Sequence, residues 1–298
     1  MKNGNAFILA TLLLLAPLTG LGQAQDDSDE LKLGALHALM SAPPERAMPL
    51  LRKVLDGDHG DRVKENALFV LSQVGTAEAQ DLLLGFVRDG DGRLRAEAIR
   101  MVGIGGNEEA LAGLAQVYDA GDGATKEAVL EAYLIAGDVD AVFDIAANAE
   151  DSGEFGNAVE VLSAMGAREQ LRQLRGRAGA EDALIDAFAI AGDLESLREL
   201  ARDGGDPLRR ARAVEAMGIL GGDRVGPELV DIYGSATSDA IRDAALDGLL
   251  IAGYDRGVLE LYRASDDKAE KRKLLETMAI MGSDEIWEVI DAALDGGP

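Results

Sequence analysis

The sequence contains no cysteine, only two histidines (His37 and His59) and a single tryptophan, Trp287. Without cysteine, the chain forms no disulfide bond and performs no thiol chemistry. The two histidines stand apart from each other and from any zinc-binding or nucleophile-activating pattern, so neither is predicted to be a metal ligand or a catalytic base. Aromatic residues make up only 4% of the chain, so its core is expected to consist of Ala, Leu, Ile and Val. These shortages count against an enzyme, and no metal or cofactor is predicted.

Positive charge is also scarce. The chain has 29 Lys and Arg residues against 54 Asp and Glu residues, which gives a formal net charge of −25. Nucleic-acid binding depends on Lys and Arg to neutralise phosphates, and anionic membrane surfaces attract the same cations. The charge therefore excludes nucleic acid as a predicted partner and favours a basic protein or peptide.

The N-terminus has the pattern of a secretory signal peptide. Lys2 is followed by an apolar run from Ala6 to Leu18, and Gly22-Gln23-Ala24 offers small residues for cleavage after Ala24. An uncleaved membrane anchor is the alternative, although the run is short for a membrane span. Export to the periplasm or medium is expected, with no membrane insertion after cleavage. The predicted segments are a signal peptide (1–24), a short acidic segment (25–30) and a repeat domain (31–298).

A glycine ends an apolar segment at regular intervals, which indicates an internal repeat. The eight positions, 26 to 32 residues apart, are Gly75, Gly106, Gly137, Gly166, Gly192, Gly221, Gly253 and Gly282. Before each glycine, apolar residues recur every three or four positions, which predicts a helix with one buried face. Glycine is the residue that most readily adopts the left-handed conformation that ends a helix. A cap for the following helix is predicted at Thr76, Asn107, Asp138, Asp193 and Ser283.

A second helix follows each glycine and ends in a loop that is often rich in Asp and Gly. Apolar residues three apart mark these helices, as in Leu111, Leu114 and Val117. A less regular first repeat is expected from about Leu31 to Arg62. No segment alternates with a two-residue period, so no strands are predicted. Because one helix pair cannot bury its own apolar face, the pairs are expected to stack on one another.

The segment Asp206–Gly221, with the sequence DPLRRARAVEAMGILG, resembles a HEAT repeat, particularly the short variety of the bilin lyases. The resemblance extends weakly over nearly all of Leu31–Pro298. It implies an all-α fold, a right-handed α-solenoid of about nine stacked antiparallel helix pairs.

A basic residue recurs eleven positions before the glycine in six repeats. These ladder residues are Lys64, Arg95, Lys126, Arg210, Arg242 and Lys271. The family resemblance implies that they bridge adjacent repeats, and recognition of an anion is the alternative. Phe155 and Glu181 occupy this position in the two middle repeats, so the ladder is interrupted there, and a bend in the solenoid is one hypothesis for the interruption.

The resemblance also implies that the second helices line the concave face, where two positions per repeat, among them Leu259, are expected to be exposed. An ordinary solvated helix face is the alternative. Tyr118, Tyr233 and Tyr262 end three second helices, where core packing is favoured over an aromatic ridge presented to a partner. The candidate partner-binding residues are Phe143, Asp144, Arg172, Gln173, Arg198, Glu199, Asp231 and Glu260.

The predicted function is a non-catalytic scaffold or adaptor that binds a protein or peptide on its concave face. Two alternatives remain: a regulatory or chaperone-like accessory subunit of an envelope complex, and an enzyme of the bilin-lyase type. The ends of the stack lack obvious polar caps. Trp287, Val289 and Ile290 near the C-terminus therefore require cover from the last segment or from another chain, and self-association through the ends is predicted.

Overall fold

The computed structural model describes residues 19–203, 205–282 and 284–294, and all regular secondary structure in these ranges is helical. The apolar run on which the predicted signal peptide depends, Ala6–Leu18, lies outside the described residues, as does the predicted cap Ser283. Within the described ranges, no helix is both long enough and apolar enough to cross a membrane.

The described helices alternate regularly between the first and the second member of a pair. The first helices are α1 Thr19–Leu39, α3 Asp61–Val74, α5 Gly92–Gly105, α7 Gly123–Ala136, α9 Ser152–Ala164, α11 Glu181–Ala191, α13 Pro207–Gly221, α15 Asp239–Ala252 and α17 Lys268–Met281. The second helices are α2 Pro44–Asp56, α4 Ala77–Asp89, α6 Glu108–Ala120, α8 Val139–Asn148, α10 Arg168–Gln173, α12 Leu194–Asp203, α14 Gly226–Ser235, α16 Asp255–Ala264 and α18 Asp284–Leu294. Short 3₁₀ segments lie at Leu174–Gly176 and Gly222–Val225. The described chain thus contains nine helix pairs, and the predicted all-α repeat fold is confirmed.

The chain divides into two compact units, one ending at Ala120 and the other beginning at Gly121. In the N-terminal unit, α1, α3 and α5 pack in sequence against one another, and α4 packs against both α5 and α6. In the C-terminal unit, α7, α9, α11, α13, α15 and α17 form a continuous row in which each helix packs against the next. The shared apolar faces of neighbouring pairs make the core, whose large, fully buried side chains include Leu68, Ile99, Tyr133, Leu162 and Phe188.

Left-handed glycines end most of the first helices, as the sequence predicts. Six of the predicted glycines have φ between 66° and 74° and Gly106 has φ of 61°. Gly221 is the exception, because α13 continues through it and the positive φ falls on Gly222, at 55°. The 3₁₀ segment after α13 folds back onto this position. A Cβ on Gly221 would lie 2.2 Å from Cγ1 of Val225, so the site needs glycine for space rather than for a left-handed backbone.

The predicted caps of the second helices are present wherever the structure describes them. Oδ1 of Asn107 accepts a hydrogen bond from the Ala110 amide at 2.9 Å, and Oδ1 of Asp138 accepts one from the Ala141 amide at 3.1 Å. Thr76 caps α4 in the same way, at 3.3 Å. Each bond satisfies an amide that the first turn of a helix would otherwise leave unpaired.

Gly218 and Gly248 bring α13 and α15 into close contact. A Cβ on Gly218 would lie 2.6 Å from the Cα atom of Gly248, so a methyl group at this point would push the two backbones apart. We expect Gly218→Ala to lower the free energy of unfolding by about 1–3 kcal/mol, the usual cost of overpacking. Urea unfolding followed by circular dichroism measures this change.

Gly156→Ala is the matched control for this prediction. Gly156 also lies in a first helix of the C-terminal unit, but a Cβ added to it would meet no neighbouring side chain or helix within 4 Å. Alanine should therefore stabilise that helix by about 0.5–1 kcal/mol. Equal effects of the two substitutions would show that the contact between α13 and α15 does not limit stability.

Candidate protein-interaction surface

The second helices of the C-terminal unit carry all eight predicted partner-binding residues. Phe143 is half-buried on α8 and Asp144 beside it is exposed. Arg172, Arg198 and Glu199 are half-buried, and each forms an ion pair with a residue of a neighbouring repeat. We refer to the outward side chains of α8, α10, α12, α14 and α16 as the second-helix surface.

Arg172 joins α10 to the start of α12. Its Nε donates to Oδ2 of Asp193 and its Nη2 donates to Oδ1 of Asp193, both at 2.8 Å. The Asp193 carboxylate is only 2% exposed and also accepts a hydrogen bond from the hydroxyl of Ser196 at 2.8 Å. A bidentate bond to a buried carboxylate orients both groups, so Arg172 fixes one repeat against the next.

These contacts shift the pKa values of both partners. Burial would by itself raise the pKa of Asp193, but the hydrogen bonds from Arg172 and Ser196, together with the positive charge of Arg172, hold it below its usual value. The same hydrogen bond and the attraction to Asp193 raise the pKa of Arg172. The pair is therefore charged over the whole neutral and mildly acidic range.

Further ion pairs continue this pattern along the second-helix surface. Nε of Arg198 on α12 lies 2.7 Å from Oε2 of Glu228 on α14, and Arg202 lies 3.4 Å from the same carboxylate. Glu199 on α12 pairs with Arg175, which follows α10 in the 3₁₀ segment. Ion pairs thus link α10, α12 and α14.

The other predicted positions on the second-helix surface face solvent. Gln173, Asp231 and Glu260 are exposed, as is Asp144. Leu259 corrects the expectation, because α16 packs against α14 and α17 and leaves Leu259 only 8% exposed. The exposed remainder of this surface is polar and predominantly acidic.

Three ladder residues donate to main-chain carbonyls at the end of the preceding second helix. Arg95 Nη2 lies 3.2 Å from the Arg88 oxygen, Arg210 Nε lies 2.8 Å from the Ala201 oxygen, and Arg242 Nη2 lies 3.2 Å from the Ala236 oxygen. The last carbonyls of a helix have no partner within it and carry partial negative charge. These arginines lie on the first helix of one repeat and therefore satisfy terminal carbonyls of the repeat before it.

The three ladder lysines have different surroundings. Lys126 on α7 pairs with Glu154 on α9. Lys271 on α17 lies 5.2 Å from the centre of the Tyr262 ring, a cation–π contact with the preceding second helix. Lys64 is half-buried on α3.

Arg177 acts where Phe155 interrupts the ladder. Its guanidinium lies 4.8 Å from the centre of the Phe155 ring and donates to the main-chain oxygens at the end of α8, at 3.2 Å from Ala146 and 3.0 Å from Ala147. It reaches these carbonyls from the turn after α10, in the repeat that follows. The sequence analysis missed Arg177 because this residue does not lie eleven positions before a repeat glycine. The one sequence feature that could have indicated its role is that an arginine occupies the loop of the short repeat.

The three tyrosines that end second helices are buried. Tyr118, Tyr233 and Tyr262 are all less than 10% exposed, which fits core packing rather than a ridge presented to a partner. Burial, followed by a hydrogen bond with Glu270, raises the pKa of Tyr233 above its usual value.

Tyr233 is one of the residues that line an open surface cavity of about 440 Å³ in the C-terminal unit. Both cations there have a carboxylate partner, since Arg242 contacts Asp239 at 3.2 Å and Lys273 contacts Asp243. The full lining is Tyr233, Asp239, Arg242, Asp243, Asp267, Ala269, Glu270 and Lys273. The cavity is thus acidic on balance.

Loss of the Arg172 side chain should destabilise the protein. We expect Arg172→Ala to lower the free energy of unfolding at pH 7 by about 2 kcal/mol, because the buried Asp193 carboxylate loses a charged hydrogen-bond partner. Gln173→Ala, at the exposed neighbouring position, is the control and should change stability little.

The pH dependence of this difference identifies its cause. An unfolded Asp has a pKa of about 3.9, and that of Asp193 is lower in the folded protein. The stabilisation is therefore complete above the unfolded pKa and is lost as the pH falls through the folded pKa. Denaturation of wild type and Arg172→Ala from pH 7 to pH 3 should show the difference shrinking in acid, whereas a constant difference would exclude this ion pair as its source.

A family model described as HEAT repeats matches residues 61–133. The matched segment covers α3 to α6 and most of α7. No curated protein matches the chain.

Two solved structures show weak similarity to this chain. One is the complex of CpcE and CpcF of phycocyanin lyase from Nostoc sp. PCC7120, with 20% identity, coverage of 78% of this chain and 94% of that chain, and a TM-score of 0.34. The other is a computationally designed self-assembling cyclic homooligomer, with 15% identity, coverage of 91% and 100%, and a TM-score of 0.14. The family match assigns HEAT repeats to residues 61–133, and the helix pairs that recur through the described residues have the same all-α repeat architecture.

Proposed function

We propose that this protein is a non-catalytic scaffold, exported from the cell, whose second-helix surface binds a protein or peptide. HEAT repeats suit this role because stacked pairs repeat the same outward positions over a long surface. The observation that carries the proposal is that this surface combines side chains held in place by ion pairs with polar side chains exposed to solvent. Arg172 and Arg198 tie neighbouring second helices together, while Asp144, Gln173 and Asp231 remain exposed beside them.

The order of this surface reduces the cost of binding. Side chains held by ion pairs lose little conformational freedom when a partner arrives, so more of the interaction energy contributes to affinity. Acidic residues that remain exposed accelerate the approach of a basic segment, and salt weakens that effect. Half-buried Phe143 on α8 offers an apolar contact at one end of the same row.

Site-specific photo-crosslinking tests this function. A photoreactive residue is placed at Gln173 or Asp231 in the chain from Gln25 to Pro298, and the protein is exposed to extract of the cell envelope. We expect a discrete protein adduct at both positions, with a yield that falls as salt rises. If either of the two positions forms no adduct at low salt, binding through the second-helix surface is contradicted.

The control position is Ala178, which is exposed in the turn after α10. It lies in the same repeat as Gln173 but not on a second helix, so a partner seated on the second-helix surface should react there much less. Equal adduct yields at Ala178 and Gln173 would indicate nonspecific capture.

A further inference from the structure

The first helices of the C-terminal unit repeat a two-residue pattern that the core does not require. An acidic residue lies six positions before the repeat glycine in all six repeats, and isoleucine lies two positions before it in five. The acidic column consists of Glu131, Glu160, Asp186, Glu215, Asp247 and Glu276. The isoleucine column consists of Ile135, Ile190, Ile219, Ile251 and Ile280, with Ala164 in the remaining repeat.

Both columns lie on the outward face of the first helices. The isoleucine side chains are 44% to 71% exposed, and the acidic residues are exposed apart from half-buried Glu131. Within each helix the two positions are four residues apart, so they occupy the same face, separated by about 6 Å along the axis. Each of the six first helices thus presents a carboxylate. Five of them also present an isoleucine about one helical turn further towards the C-terminus.

Folding does not account for the isoleucine column. A mostly exposed isoleucine contributes little to the core, and it is a weaker helix former than Ala, Leu, Glu or Lys. Single exposed apolar residues are common, but large exposed apolar patches mark interaction sites, and a row of five aligned isoleucines is a candidate for one. The N-terminal unit lacks the pair of columns, since Phe69 and Gln73 occupy the two positions in α3, and Arg100 and Ile104 occupy them in α5.

The spacing of the row fits an α-helix as the occupant. Consecutive first helices pack against each other, and packed helices lie about 8–10 Å apart. Seven residues of an α-helix span about 10.5 Å, so apolar residues at heptad positions would meet one isoleucine per repeat. An acidic column along one flank complements lysine or arginine along the corresponding flank of that helix.

We propose that the two columns form a docking site for a basic amphipathic α-helix of a partner protein, laid across the first helices of the C-terminal unit. The proposal rests on the scaffold function but assigns a different surface. The net charge of −25 disfavours two other occupants, because both a second copy of this chain and an anionic bilayer carry negative charge. The helix-in-groove mode of recognition uses such periodic anchors.

Binding to defined peptides tests the proposal. The probe is a synthetic four-heptad peptide with leucine at one heptad position and lysine or arginine along one flank. The reference peptide has the same composition with leucines out of heptad register. We expect the chain from Gln25 to Pro298 to bind the probe at least about tenfold more tightly than the reference by fluorescence anisotropy, and to lose affinity as salt rises.

Two sets of variants locate the site. Replacing Ile219, Ile251 and Ile280 together with serine should weaken binding of the probe at least about tenfold, whereas Ile104→Ser in the N-terminal unit should not. Glu215→Gln with Asp247→Asn keeps the isoleucines and should reduce both affinity and its salt dependence. Circular dichroism checks that each variant retains its helices, and the charge variant provides a test if the serine variant unfolds.

Several results would overturn the proposal. These are equal affinity for the two peptides, binding unaffected by both sets of variants, anionic vesicle binding that depends on the three isoleucines, or dimer formation that depends on them. The outcome also separates the two surfaces. If the peptide fails to bind the first helices but adducts still form at Gln173, the scaffold function stands. If neither peptide binding nor adducts are observed, the scaffold function is contradicted as well.

Discussion

The left-handed glycine at the end of most first helices fixes how the rest of the repeat is arranged. The chain reverses direction within a few residues of this glycine, so the glycine fixes where the first helix ends. The direction of each preceding side chain then follows from its distance in sequence from the glycine. In α11, Phe188 and Leu184, four and eight residues before Gly192, are buried. Asp186 and Ile190, six and two residues before it, face outward. In α11 the core residues and the outward pair thus keep a fixed spacing from the helix end.

The ends of the second helices impose a complementary requirement. Their last carbonyls lack partners within the helix, and the chain satisfies several of them with arginines from the following repeat. Arg210 does so from the next first helix, and Arg177 does so from the turn after the next second helix. In both cases an arginine donates to carbonyls at the end of a second helix. The repeat that contains Phe155 therefore lacks the ladder residue and is still joined to the repeat before it.

The sequence predicts what depends on local periodicity and misses what depends on stacking. Helix pairs, left-handed glycines and caps such as Asp138 follow from residues a few positions apart. The partner of Arg172 lies 21 residues away, and that of Arg198 lies 30 residues away, so only the packing of repeats reveals them. The predicted role of Gly221 is wrong because spacing cannot distinguish a glycine needed for its φ angle from one needed for space beside Val225.

The two surfaces of the C-terminal unit differ in what the fold demands of them. On the second helices, charged groups such as Arg172 and Glu228 join repeats, so their identity is constrained by stability. The acidic column takes part in such joining only in places, as where Asp186 pairs with Arg212 on the neighbouring first helix at 3.0 Å. The isoleucines beside it have no comparable structural task. A feature that recurs in register with the fold, yet contributes little to it, points to selection by a partner rather than by stability.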